Sequence, residues 1–134
     1  MSSNEVVFSK SDAGAGKLGD YRFNLVPKNR RVTLTLAGSD DAQDEIARVA
    51  SNDDLQAFIS PRTAEEERTD APIPVRFFVD QRMTGVVGWV PRGFEAVVIE
   101  TLSRLSDVGK NRIPAQVKRT RKGLRVILRV GETR

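Results

Sequence analysis

Six cations stand within twelve residues near the C-terminus: Lys118, Arg119, Arg121, Lys122, Arg125 and Arg129. Lysine and arginine at this density do one kind of chemistry well. They neutralise phosphate or carboxylate and release counterions as they bind. The chemistries left out are equally informative. The chain has neither cysteine nor histidine, which removes thiol nucleophiles, thiolate metal sites, disulfides, the commonest general base and the commonest zinc ligand. Carboxylate or hard-cation chemistry remains, but the carboxylates are scattered. Glu65-Glu66-Glu67 lacks the fixed spacing of a cation site and reads as part of a solvated loop. No catalytic, metal or cofactor residue is therefore expected, and the protein is read as non-enzymatic.

Charge is divided unevenly along the chain. Residues 1–109 hold 13 Lys/Arg against 17 Asp/Glu, a net −4, whereas residues 110–134 hold 9 against Glu132 alone, a net +8. Solubility alone does not require eight positive charges on one segment of an otherwise acidic chain. The expected partner is a nucleic acid, or else an acidic protein surface docked by the same hairpin. No apolar run approaches the ~20 residues of a membrane span and no signal-peptide core is present, so a cytoplasmic protein without a membrane partner is expected. "GAGK" (Gly14 to Lys17) invites a phosphate-loop reading. It fails because Ser11 stands where the first glycine belongs and Leu18 follows the lysine.

Two further residues are candidates. In "TGVVGWVPRGFEAVV" (84–98), Trp89 offers a flat face on which a base can stack. Arg92 is read in the first turn of a helix, where a cation opposes the macrodipole and gains nothing structurally. Pro91 suits that first turn, and the helix N–H groups would themselves attract phosphate. By alternation Val86, Val90 and Phe77 face the core, while Trp89 and Phe78 point to the other side.

The elements that must position these residues are short. Residues 1–30 are rich in Ser, Gly, Asp and Lys, with small apolar patches at Val6-Val7-Phe8 and Phe23–Val26, and read as a flexible or loosely docked segment. Residues 31–134 form one domain. "RVTLTLAG" is a strand, Asp40–Ser51 a helix with acidic residues at its start, and "LQAFIS" a strand. "PRTAEEERTDAP" is read as a polar loop. "IPVRFFVD" and "TGVVGWV" are strands. A helix from Pro91 or Arg92 to Asp107 buries Phe94, Val97, Val98, Leu102 and Leu105 and stops at Gly109. "IPAQVKRT" and "GLRVILRVG" close the chain as a hairpin, with Leu124, Val126, Leu128 and Val130 inward and Arg125 and Arg129 outward. The order β-α-β-β-β-α-β-β predicts an α+β protein: a small bent sheet or partly open six-stranded β-barrel with two helices.

The run "VRFFVDQRMTGVVGWVPRGFEAVVIETL", followed by "GKNRIPAQV" and "GLRVIL", resembles a HIRAN domain. Gly85, Gly88, Trp89, Val90, Pro91 and Arg92 fall on that family's strand-to-helix join, and the resemblance covers roughly residues 31–131. HIRAN domains occur alone in bacteria and fused to helicase-like and nuclease proteins. The resemblance implies a small barrel that binds DNA, especially single-stranded ends, and favours DNA over RNA. The family's Asn and aromatic before the central strand have no counterpart in "SPRTAEEERTDAPIPV".

Overall fold

Alternation of apolar and polar side chains builds six strands from this chain. The computed structural model describes residues 8–133, so the Val6-Val7 patch lies outside the described residues. In chain order the elements are β1 (Leu34–Thr35), α1 (Gln43–Val49), β2 (Leu55–Phe58), α2 (Ala64–Arg68), β3 (Pro74–Val79), β4 (Arg82–Trp89), α3 (Glu95–Asp107), β5 (Arg112–Thr120) and β6 (Gly123–Leu128). The strands form one antiparallel sheet in the order β1-β6-β5-β2-β3-β4. The sheet curls into a half-barrel whose two edges touch just beyond β1. There Ala37 and Trp89 exchange both backbone hydrogen bonds, at 2.8 and 2.7 Å. The expected α+β half-open barrel is the fold observed.

Inside the curl lie Leu34, Leu36, Leu55, Ala57, Val75, Phe77, Ile113, Ala115, Val126 and Leu128, all buried, with Val97, Val98 and Leu105 of α3 in the same core. Helix α3 ends as its sequence predicts. Gly109 takes φ 74°, and the Gly109 and Lys110 N–H groups return to the carbonyls of Ser106 and Leu105 (3.0 and 2.8 Å), satisfying two that the helix leaves free.

Three details differ from the sequence reading. The polar stretch after β2 contains a third helix, α2, with a reciprocal cap. Thr63 Oγ1 accepts from Glu66 N–H (3.2 Å) and Thr63 N–H donates to Glu66 Oε1 (2.9 Å). The Thr63 N–H bond first, and the Thr63 hydroxyl second, hold the Glu66 carboxyl below its ordinary pKa. Second, α3 begins at Glu95, not at Pro91. Pro91–Phe94 is a turn closed by Phe94 N–H on Pro91 C=O (3.0 Å), with Gly93 at φ 96°. Third, β4 carries two more residues than β3. Val75 sits opposite Gly88 but Arg76 opposite Val86, and Phe78 opposite Met83. Each mismatch leaves one extra residue on β4, a β-bulge that resets the alternation. Val87 is consequently fully buried and Val86 only half-buried, the reverse of the expectation. Thr84 bridges the second bulge, accepting from Phe77 N–H at 3.0 Å and donating to Gly85 C=O at 2.7 Å.

The N-terminal segment, expected to be flexible or loosely docked, is held by specific contacts from residue 8 onward. Ala15 and Thr35 exchange backbone hydrogen bonds (3.1 and 2.9 Å), Asp12 is 4% exposed, and Tyr21 packs against Phe94 with ring centroids 6.4 Å apart. Composition concealed this, because the anchoring groups are single side chains dispersed among Ser, Gly and Ala.

The β3–β4 turn places Asp80 and Gln81 at φ 51° and 65° without a glycine. Gln81→Gly is expected to raise stability by about 1 kcal/mol, read as a higher urea midpoint. The Tyr21 hydroxyl is buried without a hydrogen-bond partner, and burial, with Asp20 second, pushes its pKa up to about 12. Because the folded value exceeds the ordinary 10.0, this group's contribution is intact below pH 10 and is lost as pH rises toward 12. Tyr21→Phe is expected to match wild type near neutrality and to lose less stability across that window, measured by denaturant titration at each pH.

Candidate nucleic-acid interface

The β5–β6 hairpin turns at Arg121-Lys122, and Gly123 at φ 115° completes the turn. Thr120 stiffens it, donating its hydroxyl to Gly123 C=O (2.7 Å) and accepting from Lys122 N–H (3.2 Å). Helix α1 supplies a second brace. The Gln43 amide accepts from Leu124 N–H (2.8 Å) and donates to Leu124 C=O (3.0 Å), imitating the pairing of a neighbouring strand. On this fixed hairpin Lys118, Arg119, Arg121 and Lys122 are exposed, and among the described residues none forms an ion pair. A cleft of ≈ 340 Å³ separates the turn from the N-terminal segment, and its rim adds Lys10 to Arg121 and Lys122.

The other predicted cations are employed within the protein. Arg125, expected to face outward, is 6% exposed beneath the N-terminal segment. Its guanidinium lies 2.8 Å from Asp40 Oδ1 and 3.6 Å from Asp12 Oδ1, and it donates to the carbonyls of Leu124 and Ser11. Asp12 in turn accepts from the backbone N–H groups of Ser39 (2.9 Å) and Asp40 (2.7 Å). Arg129 donates twice to Gln116 Oε1 (3.0 and 2.8 Å) and stands 3.5 Å from Glu132. Arg92 lies outside α3. It pairs with Glu95 at 2.9 Å and donates to Asp70 C=O at 2.8 Å, tying the α2–β3 connection to the start of α3. The first turn of α3 thus carries an acid, as the helix dipole favours.

Trp89 is opposite Pro74, on the face away from the core, but half-buried. A β-carbon on Gly38 would meet Trp89 Cδ1 at 2.6 Å and Phe8 Cε1 at 2.8 Å, so both rings close over that glycine.

A different set of flat side chains does stand free of the core. Phe58 of β2 lies between Arg76 of β3 and Arg112 of β5 in one row across the sheet. In the next row Phe78 lies between Gln56 and Met83, with Pro114 beyond Gln56. All occupy the face opposite Ala57, Phe77 and Ile113, which are buried. Phe58 and Phe78 are half-buried, Arg76 and Met83 exposed, and the Arg112 guanidinium sits 4.3 Å over the Phe78 ring. Along β5 this face continues through Gln116 to Lys118, and so to the hairpin. Clefts of ≈ 760 and ≈ 380 Å³ flank Arg112 and Gln56; the larger is also lined by Arg104 and Lys110. Alternation in "LQAF" and "PVRFFV" was enough to put Phe58, Arg76 and Phe78 opposite the core. Which strands are neighbours was not, and that adjacency makes the row.

Among the described residues no group of three Asp or Glu is arranged to hold a metal ion, and no helix is long and apolar enough to cross a membrane. No family model matches this chain, and neither a curated protein nor a solved structure does.

The buried Arg125–Asp12 pair yields a prediction. Arg125→Met leaves Asp12 buried opposite no cation and is expected to cost about 3 kcal/mol. Adding Asp12→Asn to the same chain should restore part of the loss, which urea titration of both variants checks.

Proposed function

We propose that this protein is a non-enzymatic module that binds single-stranded nucleic acid along its sheet face. The bases stack on Phe58 and Phe78, and the backbone is held by Arg76, Arg112 and the cations of the hairpin. The observation that carries this reading is the row Arg76–Phe58–Arg112, continuous along β5 with unpaired Lys118 and ending at the hairpin turn, where Arg119, Arg121 and Lys122 are also unpaired. Phosphate neutralisation supplies most of the affinity of such a complex, and each base stacked on an aromatic ring adds ~1–3 kcal/mol. An acidic protein surface would use the cations and leave the rings idle, so their interleaving favours nucleic acid. A duplex keeps its bases stacked within the helix, so the rings favour single strands. The HIRAN resemblance points to DNA rather than RNA.

Fluorescence anisotropy with labelled single- and double-stranded oligonucleotides over a range of salt tests the reading. Replacing Lys118, Arg119, Arg121 and Lys122 by Ala is expected to weaken binding and flatten the salt slope by about 3, at ~0.7 per phosphate contact on single strands. Phe58→Ala and Phe78→Ala should each lower single-strand affinity with the slope kept. No binding of any strand at low salt sinks the proposal.

A further inference from the structure

Far from the hairpin, residues 20–28 fold back on themselves. Arg22 N–H donates to Val26 C=O (2.8 Å), Leu25 N–H to Arg22 C=O (2.8 Å) and Lys28 N–H to Asp20 C=O (2.9 Å), with Leu25 at φ 67°. Phe23 at the tip is 105% exposed and Leu18 at the base 61%. A benzyl group projecting fully into water is unfavourable by itself, and the fold gains no packing from it. The surrounding chain is basic. Between Ala13 and Ser39 the cations are Lys17, Arg22, Lys28, Arg30 and Arg31, and the single carboxylate is Asp20. All five cations are exposed, and among the described residues none forms an ion pair. This segment is fixed in place: Tyr21 is buried against Phe94, and the Asn29–Arg30 backbone lies so close to Gly131 that a β-carbon there would meet it at 2.6 Å.

We propose that this tip is a second nucleic-acid contact, in which Phe23 stacks on a base of a single strand while Arg22, Lys28, Arg30 and Arg31 hold its phosphates. This inference rests on the nucleic-acid reading of the sheet face and adds a site to it. Magnitudes select the partner. An anionic bilayer would gain one inserted ring, much less apolar surface than a myristoyl chain, whose own membrane binding is marginal. A specific protein interface needs about 800 Å² per partner, and the tip offers two apolar side chains. One base stacked on one ring is a complete interaction, worth about fivefold or more in affinity. Asn29 and Arg30, just after the loop, adjoin Gly131, beyond the C-terminal end of β6, and the hairpin turn adjoins its N-terminal end. Lys122 and Arg129 alone are about 23 Å apart at ~3.3 Å per residue. A short strand reaches one contact, and a longer one reaches both.

Binding of single strands of about 4 and about 16 nucleotides, compared with binding of vesicles rich in anionic phospholipid, provides the test. Phe23→Ala and the pair Arg30→Glu, Arg31→Glu are expected to weaken the longer strand at least about fivefold. They should leave the shorter strand on the hairpin within twofold of wild type, and the four-alanine hairpin variant should weaken both. Since Phe23 is fully exposed, an unchanged thermal midpoint confirms that its variant is folded. If the longer strand binds the tip variants as it binds wild type, the second contact is wrong while the sheet-face reading stands. Vesicle binding that requires Phe23, without strand binding that does, makes the tip a membrane contact and overturns the inference. Failure of wild type to bind either strand removes both readings together.

Discussion

A single buried guanidinium fixes the relation between the two ends of this chain. Arg125, near the middle of β6, meets Asp12 and Asp40 beneath the N-terminal segment. Taking charge out of water is costly, and the arrangement holds because Asp12 also accepts two backbone N–H groups and Arg125 reaches several carbonyls. With that junction in place the N-terminal segment runs beside β1, Phe8 closes over Gly38 next to Trp89, and Tyr21 reaches Phe94. The exposed hairpin cations lie immediately beyond the same arginine. The ion pair therefore separates two populations of charge on one hairpin, one spent inside the fold and one left exposed to solvent.

The core was legible in the sequence because it depends on period. Leu124, Val126 and Leu128 are buried at every second position, and the apolar spacing of α3 runs to its glycine stop. What escaped was pairing across distance and breaks in period. Nothing local in β4 announces two bulges, so the parity of Val86 and Val87 was inverted while that of Trp89, beyond both, was kept. Arg92 and Arg125 looked available because their partners are remote in the chain: Asp70 for the first, Asp12 and Asp40 for the second. The helix α2 was legible and overlooked, since Thr63 and Glu66 have the spacing of a reciprocal cap. For the candidate site, the hairpin cations could be read directly. The row through Phe58 could not, because it exists only once β2 is threaded between β3 and β5.

That threading has its own logic. On the face away from the core, β2 and β5 carry Gln56, Phe58, Arg112, Pro114 and Gln116, with Phe58 between two arginines and Phe78 beneath one. Arg112 over Phe78 covers a ring face with a weakly hydrated cation. The same contact holds the guanidinium flat and oriented. A ligand base would exchange one stacked partner for another, with little new exposure of apolar surface.

The Gln43 amide has a wider significance than bracing a turn. β1 pairs with β6 at Leu128 and Ile127, and Leu36 just beyond it reaches Val126 C=O (2.9 Å), which leaves Leu124 as the next rung on that edge. By bonding both the N–H and the C=O of Leu124, Gln43 occupies the rung at which an incoming strand from another molecule would begin to add. One side chain on a seven-residue helix thus blocks the start of edge-to-edge pairing, beside a hairpin whose cations stay exposed.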